Sequence, residues 1–383
     1  MHEFRLVPLD GLSEAERSSA ELSVQEGVPV VIAYLSPFCL ILNHEDSWSC
    51  SLKEVNERSY DYVKLNKLAG RLDIGLKPPF HMLLGFDGSM VVPALKDFRD
   101  PQDAASCFNR VLGRLLMGGV FSEAVTVNDL QMGSLLPTGY VRVSSNSQSF
   151  STELHTALRY SMGNPTQTMQ LLNPRQHRVP ELREAYNKGA AACDGLAEFL
   201  PSFLVNGYSH VRRRAWGEAV ADLWIGIEQV TSHVWETRII KDPRTAEVDF
   251  KERRDILHDS RVWTVAVILE ILFQREVLDE ATYRLLSRAR RARNSLAHRG
   301  VLPAREHAFN ALEGLLRLIS LAKNPGNPEV YADLKDTLDR ELEAESNRPR
   351  QYKTEEVIAW LPIPPLPGDK NWGEKPFEKV MVE

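Results

Sequence analysis

The sequence predicts an α+β N-terminal domain over residues 1–175, then an all-helical bundle over 176–325, and last a charged helix with a Pro-rich tail over 326–383. Three observations carry this division. Up to about residue 150, short apolar runs alternate with turn residues. From Pro180 onward, long stretches keep a helical period with few breakers. Between them, residues 144–178 are rich in Ser, Asn, Gln and Pro, a composition suited to a linker or a domain edge.

The elements follow in order. Val28 to Leu35 and Phe38 to Leu42 read as strands on either side of a Ser36-Pro37 break. Met82 to Val92 reads as a hairpin around Asp87-Gly88, because a Gly that tolerates positive φ lets two strands turn back tightly. Asp100-Pro101 supplies a cap and a first-turn proline for a helix from Ala104 to Met117, which Gly118-Gly119 ends. Ser122 to Val143 reads as further strand and loop, and a short helix is expected near Ser151 to Tyr160. The bundle helices are expected at 180–200, 208–240, 250–278, 279–298 and 303–323. In the second, Val220, Leu223, Trp224, Ile227, Thr231, Val234 and Trp235 form one stripe, which predicts core packing. Leu312, Leu315, Leu316 and Ile319 do the same in the last, with Pro303 expected in its first turn. A helix-like stretch from Pro328 to Glu345 precedes Leu361 to Gly368, whose prolines favour extended polyproline geometry.

The bulk properties narrow the function classes. The 383 residues suffice for two ordinary domains, and 43% hydrophobic with 26% charged residues is a globular balance. A formal net charge of −6 argues against a broadly basic nucleic-acid-coating protein, so any RNA contact must come from a local patch. Cys39, Cys50, Cys107 and Cys193 form no CxxC pair and have no His at zinc-ligand spacing, which predicts free thiols. No HExxH, paired ligands, Gly-rich phosphate loop or Rossmann fingerprint appears, so no metal and no cofactor are expected. The opening residues lack the pattern of a secretory leader, and no apolar run reaches a membrane span of about 20 residues. The expectation is a cytoplasmic protein with no membrane partner.

The chemistry concentrates in the helix expected at 279–298. Arg284, Arg288, Arg290, Arg291, Arg293 and Arg299 crowd one short segment, with Arg305 beyond it. Arginine forks match phosphate oxygens and stay charged at physiological pH. His298 adds a group that takes or gives a proton near neutrality. RNA carries its own nucleophile, the 2′-hydroxyl. A base to remove that proton and a cation to stabilise charge on phosphorus are enough to cleave the chain without metal. His298 and Arg293 supply these groups, and Asn294 can orient the imidazole or bind phosphate through its amide. Arg288, Arg290, Arg291 and Arg299 are candidate RNA contacts.

Arg293-Asn294-Ser295-Leu296-Ala297-His298, near the end of an arginine-rich helix in an all-helical domain, resembles the Arg-x(4–6)-His motif of HEPN domains; Asn after Arg is similar to the Apea-like branch. The resemblance covers residues 180 to about 323. It implies a metal-independent endoribonuclease leaving a 2′,3′-cyclic phosphate, built on a bundle that dimerises so that two motifs face one RNA cleft, often in toxins or phage defence. It carries the family's Arg and His onto Arg293 and His298, and the polar residue after Arg onto Asn294. It also implies an acidic partner on an earlier helix, for which Glu228 is the candidate. The alternative is a non-catalytic HEPN-like module that binds RNA or protein, and the N-terminal domain is a candidate sensor for a trigger or inhibitor. A bare Arg-x(4–6)-His recurs as Arg253 with His258, so the weight rests on Asn294 and the arginines around it. Five positions on a straight helix turn about 500°, leaving Arg293 and His298 about 140° apart. Either the helix bends at Asn294 to Ala297, at a junction announced by Gly300 and Pro303, or the two groups flank a cleft from different sides.

Overall fold

The computed structural model describes residues 27–49, 51, 53–54, 67–77, 80–98, 100–143, 175–196, 198–242, 251–259, 261–323 and 335–340. A β-sheet region comes first and a helical region follows, as the residue patterns predict. The expected helix near Ser151 to Tyr160, the Pro-rich tail and most of the stretch from Pro328 to Glu345 lie outside the described residues.

The strands are β1 (Val28–Tyr34), β2 (Cys39–Leu42), β3 (Leu68–Leu72), β4 (Met82–Gly85) and β5 (Ser89–Pro93), then β6 (Gln131–Leu135), β7 (Val141–Val143) and β8 (Arg175–Arg178). Six form one sheet in the order β3-β4-β5-β1-β6-β7, and β2 pairs with β8 separately. Every pairing in the larger sheet is antiparallel, with β1 central between β5 (Ile32 opposite Val91) and β6 (Val31 opposite Met132). β1 reads as an unbroken apolar run because both its faces are covered: Val30, Ile32 and Tyr34 join Val91 and Val141 in one cluster, while Val31 and Ala33 are buried on the other side. The edge strands approach each other, with Lys67 bridging Tyr140 and the Leu68 amide donating to the Gly139 carbonyl at 3.1 Å, so the sheet curls towards closure. The β4–β5 hairpin turns through Phe86-Asp87-Gly88, a three-residue loop with Gly88 at φ +82.

Helix α1 (Pro101–Met117) opens as expected, the Asp100 side chain accepting the Gln102 amide at 2.8 Å. The remaining helices are α2 (Val179–Asp194), α3 (Pro201–Arg212), α4 (Trp216–Trp235), α5 (Lys251–Leu257), α6 (Val265–Gln274), α7 (Glu280–Arg299) and α8 (Arg305–Lys323). Three expected helices are cut. The helix expected at 180–200 stops at Asp194, and Pro201 starts a new one. The one expected at 208–240 breaks at Arg213 to Ala215, where Arg214 takes φ +60 and Glu123 holds Arg213 at 2.6 Å and Arg212 at 3.6 Å. The one expected at 250–278 breaks after Leu257, where the Trp263 indole donates to the Ile256 carbonyl. Pro303 is not in the first turn of α8 but in the loop before it.

α4 is the central helix, packed against α3, α6, α7 and α8. All seven residues of its predicted stripe are buried. α1 packs against α2 and α3, joining the sheet-bearing part of the chain to the bundle. The described residues through Asp339 fall in one compact unit.

Candidate functional site

α7 is specified by its two ends. Asp279 caps it by accepting the Thr282 amide at 2.6 Å. Gly300 ends it in the left-handed region at φ +66, its amide bonding the Leu296 carbonyl while the Val301 amide reaches the Ser295 carbonyl. Thr282, Leu286, Ala289 and Ala292 are buried, which turns Arg284, Arg288, Arg291, His298 and Arg299 outward and leaves Arg290 and Arg293 half-buried. The helix runs unbroken through Asn294 to Ala297, so of the two arrangements the sequence allows, the bend is absent. Nothing in those residues removes an amide donor or requires positive φ, and the backbone ladder continues to the glycine. Arg293 and His298 therefore stand about 140° apart on one straight helix.

The sequence-derived residues divide accordingly. The Arg293 guanidinium donates to the Asn294 side-chain oxygen at 3.3 Å, so Asn294 serves its neighbour and not the His298 ring. Among the described residues no carboxylate lies within ion-pair distance of Arg293. Glu228 is on α4 as expected, but its carboxylate accepts the Trp224 indole N–H at 2.5 Å instead of pairing with Arg293. Trp224 is buried, its N–H needs an acceptor, and the residue one turn on supplies it. His298 is exposed and makes no hydrogen bond or ion pair among the described residues. Arg299 donates to the Ser295 hydroxyl, Arg291 to the Ser287 carbonyl at 3.3 Å, and Arg288 lies 3.8 Å from Glu306.

Among the described residues, clefts open at two places on the bundle. One, of about 490 Å³ at the α7–α8 corner, is lined by Arg288, Arg291, Ser295 and His307 and not by Arg293 or His298. His307 had no place in the sequence-derived site: its distance from the motif in sequence hides the loop that folds it back onto α7. The other, of about 450 Å³, contains His233, Trp235, Glu236, His258 and Trp263. Of the recurrent pair Arg253/His258, His258 lines this cleft and Arg253 does not, and the His258 ring lies 3.8 Å from the Glu236 carboxylate. Trp235 and Trp263 pack at a centroid separation of 5.0 Å beside it. Burial, then Lys241, Arg238 and Lys323, hold His233 below the usual imidazole pKa.

Among the described residues no group of three or more His, Cys, Asp or Glu side chains is placed to hold a metal ion. Cys39, Cys107 and Cys193 are free and buried, and burial pushes the Cys39 thiol up to about 12 and the Cys193 thiol up to about 11. No helix among the described residues is long and apolar enough to cross a membrane. Compared with family models, curated proteins and solved structures, the chain matches none.

Proposed function

We propose that this protein is a metal-independent endoribonuclease of HEPN type, with His298 as general base and Arg293 as the cation that stabilises the transition state. The observation that carries the reading is the outward face of α7, which sets an unpaired, exposed His298 among Arg288, Arg291 and Arg299 in a chain of net charge −6. Neutral His298 removes the 2′-hydroxyl proton, the freed oxygen attacks phosphorus, and the bond to the 5′-oxygen breaks. The leaving oxygen takes up a proton, and the products carry a 2′,3′-cyclic phosphate and a 5′-hydroxyl. Because Arg293 and His298 diverge on one helix, Arg293 meets the phosphate from a second copy of the chain, in a homodimer whose α7 helices face each other across the RNA.

The test uses the purified full chain with RNA in EDTA. Cleavage giving cyclic-phosphate ends, lost in His298→Ala, supports the reading. A strict requirement for added metal, or wild-type cleavage by His298→Ala, overturns it. A second reading, a non-catalytic HEPN-like RNA- or protein-binding module, draws on Glu228 and Asn294 being engaged by Trp224 and Arg293. It predicts RNA binding that survives His298→Ala, with no cleavage by either protein.

A further inference from the structure

The α7–α8 corner presents a cleft whose chemistry is distinct from that of the Arg293/His298 pair. Arg288 and Arg291 are one turn apart on the exposed side of α7 and both line it, with the Ser295 hydroxyl beside them. Arg291 spends its Nε–H on the Ser287 carbonyl, and its two Nη groups have no protein partner among the described residues. From the opposite wall comes His307, whose Nδ1 accepts the Ala304 amide at 3.0 Å. With Nδ1 accepting that bond, the neutral ring carries its proton on Nε2, which is an N–H donor. The lip of the cleft is apolar: Val301 is 54% exposed and Leu302 78%.

Helix geometry ties this cleft to His298. Arg291 and His298 are seven positions apart, about 20° short of two full turns and about 10 Å along the axis. Arg291 therefore shares the face of His298, which Arg293 does not. Two guanidinium groups and a neutral N–H donor suit a phosphate, and exposed aliphatic side chains beside them suit the flat face of an unstacked base or a ribose. A single nucleic-acid strand alternates those two features along its length, and an acidic peptide does not.

We propose that the α7–α8 cleft is an anchoring subsite for a phosphate of single-stranded RNA, held by Arg288, Arg291 and the His307 Nε2–H, with the strand continuing along the same face of α7 past His298. The placement of the scissile bond rests on the ribonuclease reading; the anchoring itself does not.

The experiment measures binding of a fluorescein-labelled single-stranded oligoribonucleotide by anisotropy, across a salt series, to the full chain carrying His298→Ala. Arg291→Gln is expected to weaken binding about tenfold and to lower the salt slope by about one. His307→Phe is expected to weaken it about fivefold, with little change in slope. Glu306→Gln removes the carboxylate that neutralises Arg288 and is expected to tighten binding about threefold, a gain that misfolding cannot mimic. Arg142→Gln, an exposed change on β7, serves as the control. Binding by Arg291→Gln and Glu306→Gln equal to that of the parent overturns the proposal. So does an oligoglutamate peptide that competes as well as unlabelled RNA, because the cleft would then be a docking site for an acidic protein. Cleavage plays no part in these measurements, so loss of the anchoring subsite and loss of the nuclease reading are separate outcomes.

Discussion

His298 contributes nothing to packing where it stands, exposed on the last turn of α7. Removing its ring should leave stability within about 0.5 kcal/mol while lowering single-turnover RNA cleavage by a factor of about 10² to 10⁴. Matched melting curves and cleavage rates for His298→Ala and wild type check this; equal loss of both would mark the residue as structural. His233 behaves in the opposite way. Its folded-state pKa lies below the usual imidazole value because burial, and then Lys241, Arg238 and Lys323, disfavour the charged ring. The unfolded chain therefore binds the extra proton first as pH falls. The stabilising contribution is present above the unfolded pKa of about 6.5 and is lost as pH drops through the folded value. Urea unfolding between pH 7.5 and pH 5 should show stability falling, with a shallower slope in His233→Gln; identical slopes would refute the assignment. At this scale the sequence was partly legible. Arg293, Asn294 and His298 declare themselves by type and spacing, and α7 carries all of them. The partners were not legible: Glu228 turns to Trp224, and His307 enters the α7–α8 cleft, because both outcomes depend on which side chains a fold brings within reach.

Among the elements, helices with a cap and a terminator were readable and helices bounded by tertiary contacts were not. Asp100, Pro101 and Gly118 bound α1, and Asp279 and Gly300 bound α7, by local backbone chemistry. The break between α3 and α4 has no such punctuation. It occurs where Glu123, from the segment after α1, pairs with Arg212 and Arg213. The contact between α1 and α2 is equally non-local. A Cβ added at Gly189 would lie 1.8 Å from the Arg114 carbonyl oxygen, so the two backbones touch with no room for a side chain. Gly189→Ala gains helix propensity of up to about 1 kcal/mol, yet the forced separation should outweigh it and destabilise by about 1–3 kcal/mol. A shift of the urea midpoint to higher concentration would mean that this close approach is not kept in solution.

For the molecule as a whole, the bundle is not self-contained. Tyr208 of α3 is fully buried, donates its hydroxyl to the Leu338 carbonyl at 2.7 Å, and meets Phe121 edge-on at 4.9 Å. A fragment of residues 176–325 loses both Phe121 and Leu338, together with α1. It is expected to show helical circular dichroism without a cooperative melt, whereas the full chain melts cooperatively. A fragment melting cooperatively within a few degrees of the full chain would contradict this. The amino-acid sequence by itself determined the order of a β-rich part before a helical part, the buried stripe of α4, and the arginine-dense α7 with His298 near its end. These follow from residue periodicity and from capping chemistry that acts within a turn or two of the chain. Only the tertiary structure decided where α3 and α4 part, that α1 and Leu338 complete the core around Tyr208, and that His307 and Arg291 share a cleft while Arg293 points elsewhere. Each of those rests on atoms far apart in sequence, whose meeting is set by how whole surfaces pack and not by any local preference of the backbone.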